Sequence, residues 1–175
     1  MSRYRRLHTP GASHFFTLCL ARRGQTLLTD DIIRLRQAYA DTLQGHYRLR
    51  TDAIVILPDH LHAVWTLPEG DADFPNRWRL IKTAFLKGHP PSVSTSQSKV
   101  ARGEKGIWQR RYWHHLIRDD ADFAAHIAYC WGNPVKHGLV TRAVDWSHSS
   151  LHRDIRLGRA ASEWAGCAQD GKFGE

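Results

Sequence analysis

Apolar positions along the chain fall into short extended runs separated by stretches of helical period. His14–Leu20 (HFFTLCL) is rich in aromatic and β-favouring residues and follows a Pro-Gly turn signal, which predicts a strand. Ile32, Leu35, Ala38, Tyr39 and Leu43 recur at helical spacing. They predict a helix from a cap at Thr29 or Asp30 to about Gln44, closed by Gly45. An extended segment over 47–57 (YRLRTDAIVIL) leads to a Pro58-Asp59 step. The alternating run HLHAVWTL then ends at Pro68-Glu69-Gly70. Two extended runs joined at such a step predict an antiparallel pair.

The helical period returns over Pro75–Leu86, with Trp78, Ile81 and Phe85 inward and Arg77, Arg79, Lys82 and Lys87 outward. Residues 88–106 are rich in Gly, Pro, Ser and Lys and nearly free of apolar side chains, so they read as a loop within one domain. A strand over Tyr112–Arg118 precedes a helix capped by Asp119 or Asp120 and running from about Ala121 to Asn133, where Pro134 should stop it. The order β-α-β-β-α-β-α predicts an α+β domain, a small antiparallel sheet flanked by helices and ferredoxin-like in outline. A length of 175 residues fits one core, expected over 1–155, with a tail over 156–175 that lacks a sustained pattern and is expected to pack poorly.

Charge narrows the partners. Lys and Arg number 25 against 17 acidic residues, a formal net charge of +8. A chain this basic attracts polyanions, nucleic acid first among them. The longest apolar runs, such as AIVIL over 53–57, are too short to cross a bilayer, and a cytoplasmic, nucleoid-associated protein is expected. Cys19, Cys130 and Cys167 are widely spaced with no CxxC pair, which gives neither a disulfide framework nor a zinc ribbon.

Side chains two apart on a strand share a face. In HLHAVWTL this puts His60, His62, Val64 and Thr66 on one side and Leu61, Ala63, Trp65 and Leu67 on the other. The second set fits a core, and the two imidazoles stand side by side, spaced to hold one ion. Two surface histidines are the alternative in a chain with 12 histidines. On the last helix a projection at 100° per residue gathers Phe123, Ala124, Ile127 and Trp131 into an apolar arc. Tyr129 falls opposite that arc with Asp122, Ala125, His126 and Asn133. His114, His115 and His126 are ligands by type, but neighbours on a strand point to opposite faces, and they stay outside the expected set.

Three blocks, PDHLHAVW at 58–65, WQRRYWHHLIRD at 108–119 and DFAAHIAYCWGNPVKHGLV at 122–140, resemble the signature segments of the REP-associated tyrosine transposases. These are single-tyrosine members of the HUH endonuclease superfamily. RYRRLHTPGASHFFT at 3–17 and DWSHSSLH at 145–152 resemble the family's start and closing segment, so the likeness is collinear over about 3–152. The resemblance implies an HUH-type fold, His60 and His62 as the metal pair, Asn133 as third metal ligand and Tyr129 as nucleophile. It implies Mg2+ or Mn2+ as the ion, although imidazole ligands by themselves favour softer ions. It further implies single-stranded DNA with palindromic hairpins as substrate, cleaved and rejoined through a 5′-phosphotyrosine. Gly132 departs mildly from the family pattern beside the tyrosine.

Arg110, Arg111 and Lys136 flank the expected site, and Arg3, Arg5 and Arg6 form a basic arm, all able to contact phosphates. Tyr112 and Trp113 are candidates for stacking on unpaired bases. A non-catalytic hairpin DNA- or RNA-binding module of the same fold stands as the alternative function, followed by a zinc-stabilised structural domain and a paired-histidine phosphoesterase. Either a monomer or a homodimer is compatible with the sequence.

Overall fold

Alternation on four strands decides how the sheet is covered. The computed structural model describes residues 9–92, 97–101 and 105–166. In chain order these form β1 (Ser13–Cys19), α1 (Leu27–Asp30), α2 (Ile32–Thr42), β2 (Arg50–Ile56), β3 (His60–Thr66) and α3 (Phe74–Phe85). They continue with α4 (Gln97–Ala101), β4 (Trp113–Leu116), α5 (Asp120–Lys136) and α6 (Leu151–Arg156). The sheet order is β2-β3-β1-β4, with every neighbouring pair antiparallel. β3 thus lies between β1 and β2, the split β-α-β arrangement of a ferredoxin-like fold, as the α+β reading expects.

The sheet is covered on both faces. Phe16 and Leu18 from β1 and Leu61, Ala63 and Trp65 from β3 pack under Leu35 and Ala38 of α2 and Phe74, Trp78, Ile81 and Phe85 of α3. On the other face Phe15, Ala53, Val55 and Val64 pack under Tyr129, Cys130 and Trp131 of α5. The segment after α5 closes the β2 edge. Ile56 N–H donates to the His148 oxygen, Ser150 N–H to the Ile54 oxygen, and the Ser150 hydroxyl accepts from Ile54 N–H. Covering an edge strand in this way removes its open hydrogen-bonding groups.

Several elements depart from the sequence expectations. The first helical stretch is broken at Asp31 into α1 and α2, and Asp31 caps α2 without a side-chain hydrogen bond. Arg77, expected outward, is buried, because its guanidinium is satisfied by Asp71 and by the backbone oxygens of Tyr47 and Asp73. Within the expected loop over 88–106, Gln97–Ala101 is helical. Pro134 does not stop the last helix. α5 continues through it to Lys136, and Gly138, with φ +66, supplies the left-handed residue just beyond the C-cap. That extra turn keeps Asn133 helical, one turn beyond Tyr129.

Of the tail, residues to 166 are described, and Ala160 and Trp164 pack against the cluster beneath α5, with Trp164 edge-on to Trp131. Among the described residues no helix is long and apolar enough to cross a membrane.

Candidate active site

β3 presents His60 and His62 to α5, as the alternation requires, and both are buried, at 2% and 0% exposure. Their ring centroids are 5.1 Å apart. Each ring has one nitrogen engaged. His60 Nδ1–H donates to Asp59 Oδ1 at 2.6 Å, and His62 Nδ1 shares a 2.9 Å hydrogen bond with the Thr17 hydroxyl of β1. Holding Nδ1 in this way fixes the ring plane and leaves Nε2 as the nitrogen that could serve a metal. His60 Nε2 is buried and has no hydrogen-bond partner, the state expected of a ligand atom aimed at a cation.

Asp59 is itself anchored by the Gly24 N–H at 2.7 Å and by Arg23 at 3.2 Å. Burial works to raise its carboxyl, but the bonds from His60 and Gly24 and the Arg23 charge outweigh it and hold Asp59 below the usual carboxylate range. Burial pushes His60 below its ordinary value. The Asp59 hydrogen bond opposes this, and the nearby charge of Arg23 adds to it. His60 is therefore a neutral imidazole near neutral pH, which is the form that binds metals.

α5 brings Tyr129 to the same place. Its ring centroid is 5.2 Å from that of His62 and 5.9 Å from Phe15. The expectation that Tyr129 faces away from the packed side is overturned. Tyr129 is 1% exposed, and the buried residues of α5 include His126, Tyr129 and Asn133 as well as Cys130 and Trp131. The sheet surface beneath this helix is itself partly polar, so its inward side carries polar residues beside apolar ones. Lys136, exposed on the last turn, donates from Nζ to the Tyr129 hydroxyl at 3.2 Å and lies 4.9 Å over its ring. Asn133 is fully buried on the same face.

Arg110 and Arg111 are exposed and follow Gln109, whose N–H donates to the Cys19 oxygen. Cys19 is paired with His60, so both arginines stand at the His60 end of the sheet. Tyr112 packs edge-on against Phe16 in the other layer, away from the histidine face. Trp113, by contrast, lies on the tyrosine side, edge-on to Phe15. Arg3, Arg5 and Arg6 lie outside the described residues.

Sequence reasoning did not single out Thr17, Asp59 or His137, whose ring is 4.9 Å from that of His60. Asp59 was accessible as the residue before His60. Thr17 became visible only through the β1–β3 register. A second group, His115, Asp122 and His126, brings three ligand atoms within 4.8 Å of one another and could hold a metal ion.

A split β-α-β sheet thus brings two buried imidazoles against a helix-borne tyrosine, and comparison with known proteins gives the family. No family model matches the chain. The REP-associated tyrosine transposase of Escherichia coli is 41% identical over 175 residues, 100% of this chain and 98% of that protein. A protein of Haemophilus influenzae named for the same family is 44% identical over 167 residues, 95% of this chain and 94% of its own. A solved structure of the REP-associated tyrosine transposase bound to a REP hairpin superposes with a TM-score of 0.86 at 41% identity, covering 100% of this chain and 98% of that one. The chain belongs to the REP-associated tyrosine transposases.

Proposed function

We propose that the protein is a metal-dependent single-stranded DNA endonuclease and strand transferase that acts beside hairpins formed by repetitive palindromic sequences. The solved relative is bound to a REP hairpin, which supports the substrate class. The observation that carries the chemistry is the meeting of the Tyr129 ring with the His60–His62 pair in one buried cluster.

The Tyr129 oxygen attacks phosphorus, the P–O3′ bond breaks, and the 5′ phosphate stays on the tyrosine as a phosphodiester. The phenol proton is lost, and the departing 3′ oxygen takes one up as a hydroxyl. Bond energy is conserved, so attack by a 3′ hydroxyl reverses the step without a nucleotide cofactor. His60, His62 and the Asn133 side-chain oxygen would hold a divalent ion, Mg2+ or Mn2+, which supplies charge stabilisation to the phosphate and the leaving oxygen.

Lys136 is placed to stabilise negative charge on the phenol oxygen. Because it is exposed, its withdrawal onto a DNA phosphate opens the hydroxyl to substrate. Arg110 and Arg111 extend this basic rim along the strand, and Trp113 offers a ring on the same side for an unpaired base.

Tyr129→Phe removes only the oxygen from a buried ring, so binding of hairpin DNA should persist while nicking and the covalent adduct vanish. Nicking at the wild-type rate by that variant would exclude Tyr129 from the reaction. A binding module without catalysis would give neither nicking nor adduct in the wild type.

A further inference from the structure

We propose that His115, Asp122 and His126 form a second metal site, suited to a borderline-soft divalent ion such as zinc, that clamps β4 to the first turns of α5. This does not rest on the catalytic reading, because none of its ligands belongs to the His60–His62 pair.

Two elements converge on one carboxylate. His115 Nε2 lies 2.8 Å from Asp122 Oδ2, and His126 Nδ1 lies 3.1 Å from Asp122 Oδ1. The imidazoles are stacked, with centroids 4.7 Å apart, and approach the carboxylate through different oxygens. Nitrogen and oxygen ligands about 2.1 Å from a tetrahedral zinc stand roughly 3.4 Å from one another, and the three ligand atoms here already lie within 4.8 Å of one another. Two imidazoles and a carboxylate make a donor set of the zinc type, softer than the all-oxygen sets magnesium prefers. Asp122 and His126 are one turn apart on α5, and the strand supplies His115, so backbone geometry holds the set in place.

The protonation states suit coordination. Burial tends to raise Asp122, but the bonds it accepts from His115 and Arg118 prevail and bring it to about 2, a carboxylate throughout the neutral range. Burial is the main cause holding His126 below its ordinary value. The side chains of Asp122 and His126 are 8% and 6% exposed while that of His115 is 26%, giving a sheltered site with one open side for a water ligand. On binding, His126 exchanges its 2.7 Å hydrogen bond to the Asp122 backbone oxygen for the ion; Nδ1 gives up its proton and Nε2 takes one up, so the ring stays a neutral imidazole, and His115 moves its proton from Nε2 to Nδ1 in the same way. Arg118, 3.1 Å from Asp122 and largely exposed, swings away from the incoming charge.

The location gives the site a consequence. The rings of His126, Tyr129 and His62 all surround Phe15, at centroid distances of 4.7, 5.9 and 5.5 Å. An ion joining His115 to His126 therefore fixes the helix turn that precedes Tyr129.

Zinc stoichiometry, measured by calorimetry on the full chain after chelator treatment, tests this. Wild type should bind two equivalents, H115A one, and H60A/H62A one; His115 is an edge-strand residue whose replacement spares the core. An H115A variant that binds as much zinc as wild type overturns the proposal. Should the catalytic reading alone fail, H60A/H62A would match wild type while H115A still lost its equivalent. Cobalt gives a second readout: a tetrahedral visible band in H60A/H62A, absent when H115A is added, is expected, and no band in H60A/H62A contradicts the site.

Discussion

His60 and His62 can each offer one nitrogen because the other is already committed, to the Asp59 carboxylate in one case and the Thr17 hydroxyl in the other. Partners of this kind typically contribute 10–100-fold to metal affinity through orientation and ligand basicity. Asp59→Asn keeps the shape but loses the charge, so Mn2+ affinity should fall by about one to two orders of magnitude. Titration of the stripped protein checks it, and unchanged affinity would remove Asp59 from the site. The histidine pair was legible in the sequence because a strand sorts its side chains with period two. Asp59 stood beside it in plain view. Thr17 was not legible, since only the pairing of β1 with β3 brings it to His62. Arg77 was misplaced for a related reason: a cation reads as outward until Asp71 and two backbone oxygens are seen to satisfy it.

α5 shows why the orientation of Tyr129 escaped the helical projection. That method equates the buried side with the apolar side, yet here the inward face carries His126, Tyr129 and Asn133 over a sheet surface bearing His62 and Thr17. Pro134 misled in the same way. A proline lacks one donor and strains one turn, which tertiary packing tolerated so near the helix end. At the other end Asp119 caps the helix by accepting from the Asp122 N–H at 2.8 Å. Asp119→Ala should cost about 1 kcal/mol, and for a chain of this size lower Tm by roughly 2–4 °C. A melting curve identical to wild type would show that the cap contributes nothing.

Across the whole molecule, the antiparallel order and the two-sided burial of the sheet followed from element order and alternation. Its edge closure by residues 148–150 depended on a long-range pairing that local patterns do not encode. Several buried and half-buried titratable groups also act together. His60, His126 and His148 lie below their ordinary 6.5 in the folded chain, chiefly through burial, so the unfolded chain takes up protons first as pH falls. Their contribution is complete above 6.5 and is lost progressively below it. Asp59, Asp71 and Asp122 are lowered from 3.8, and their contribution disappears only as pH falls through their lower folded values. Metal-free protein should therefore melt at a lower temperature at about pH 5.5 than at about pH 7.5, with a second decline below about pH 4. A melting temperature that does not drop between the first two values would contradict the histidine assignment.

The central claim is that the phenol of Tyr129 becomes joined to DNA. Incubating the wild-type chain with Mn2+ and a single strand carrying a hairpin, then digesting the denatured complex and mapping it by mass spectrometry, reads this directly. The account predicts one modified peptide containing Tyr129, with the 5′ phosphate of the downstream fragment on that side chain. A covalent nucleotide on any other residue, or cleavage that leaves a free 5′ phosphate with no protein adduct, would contradict it.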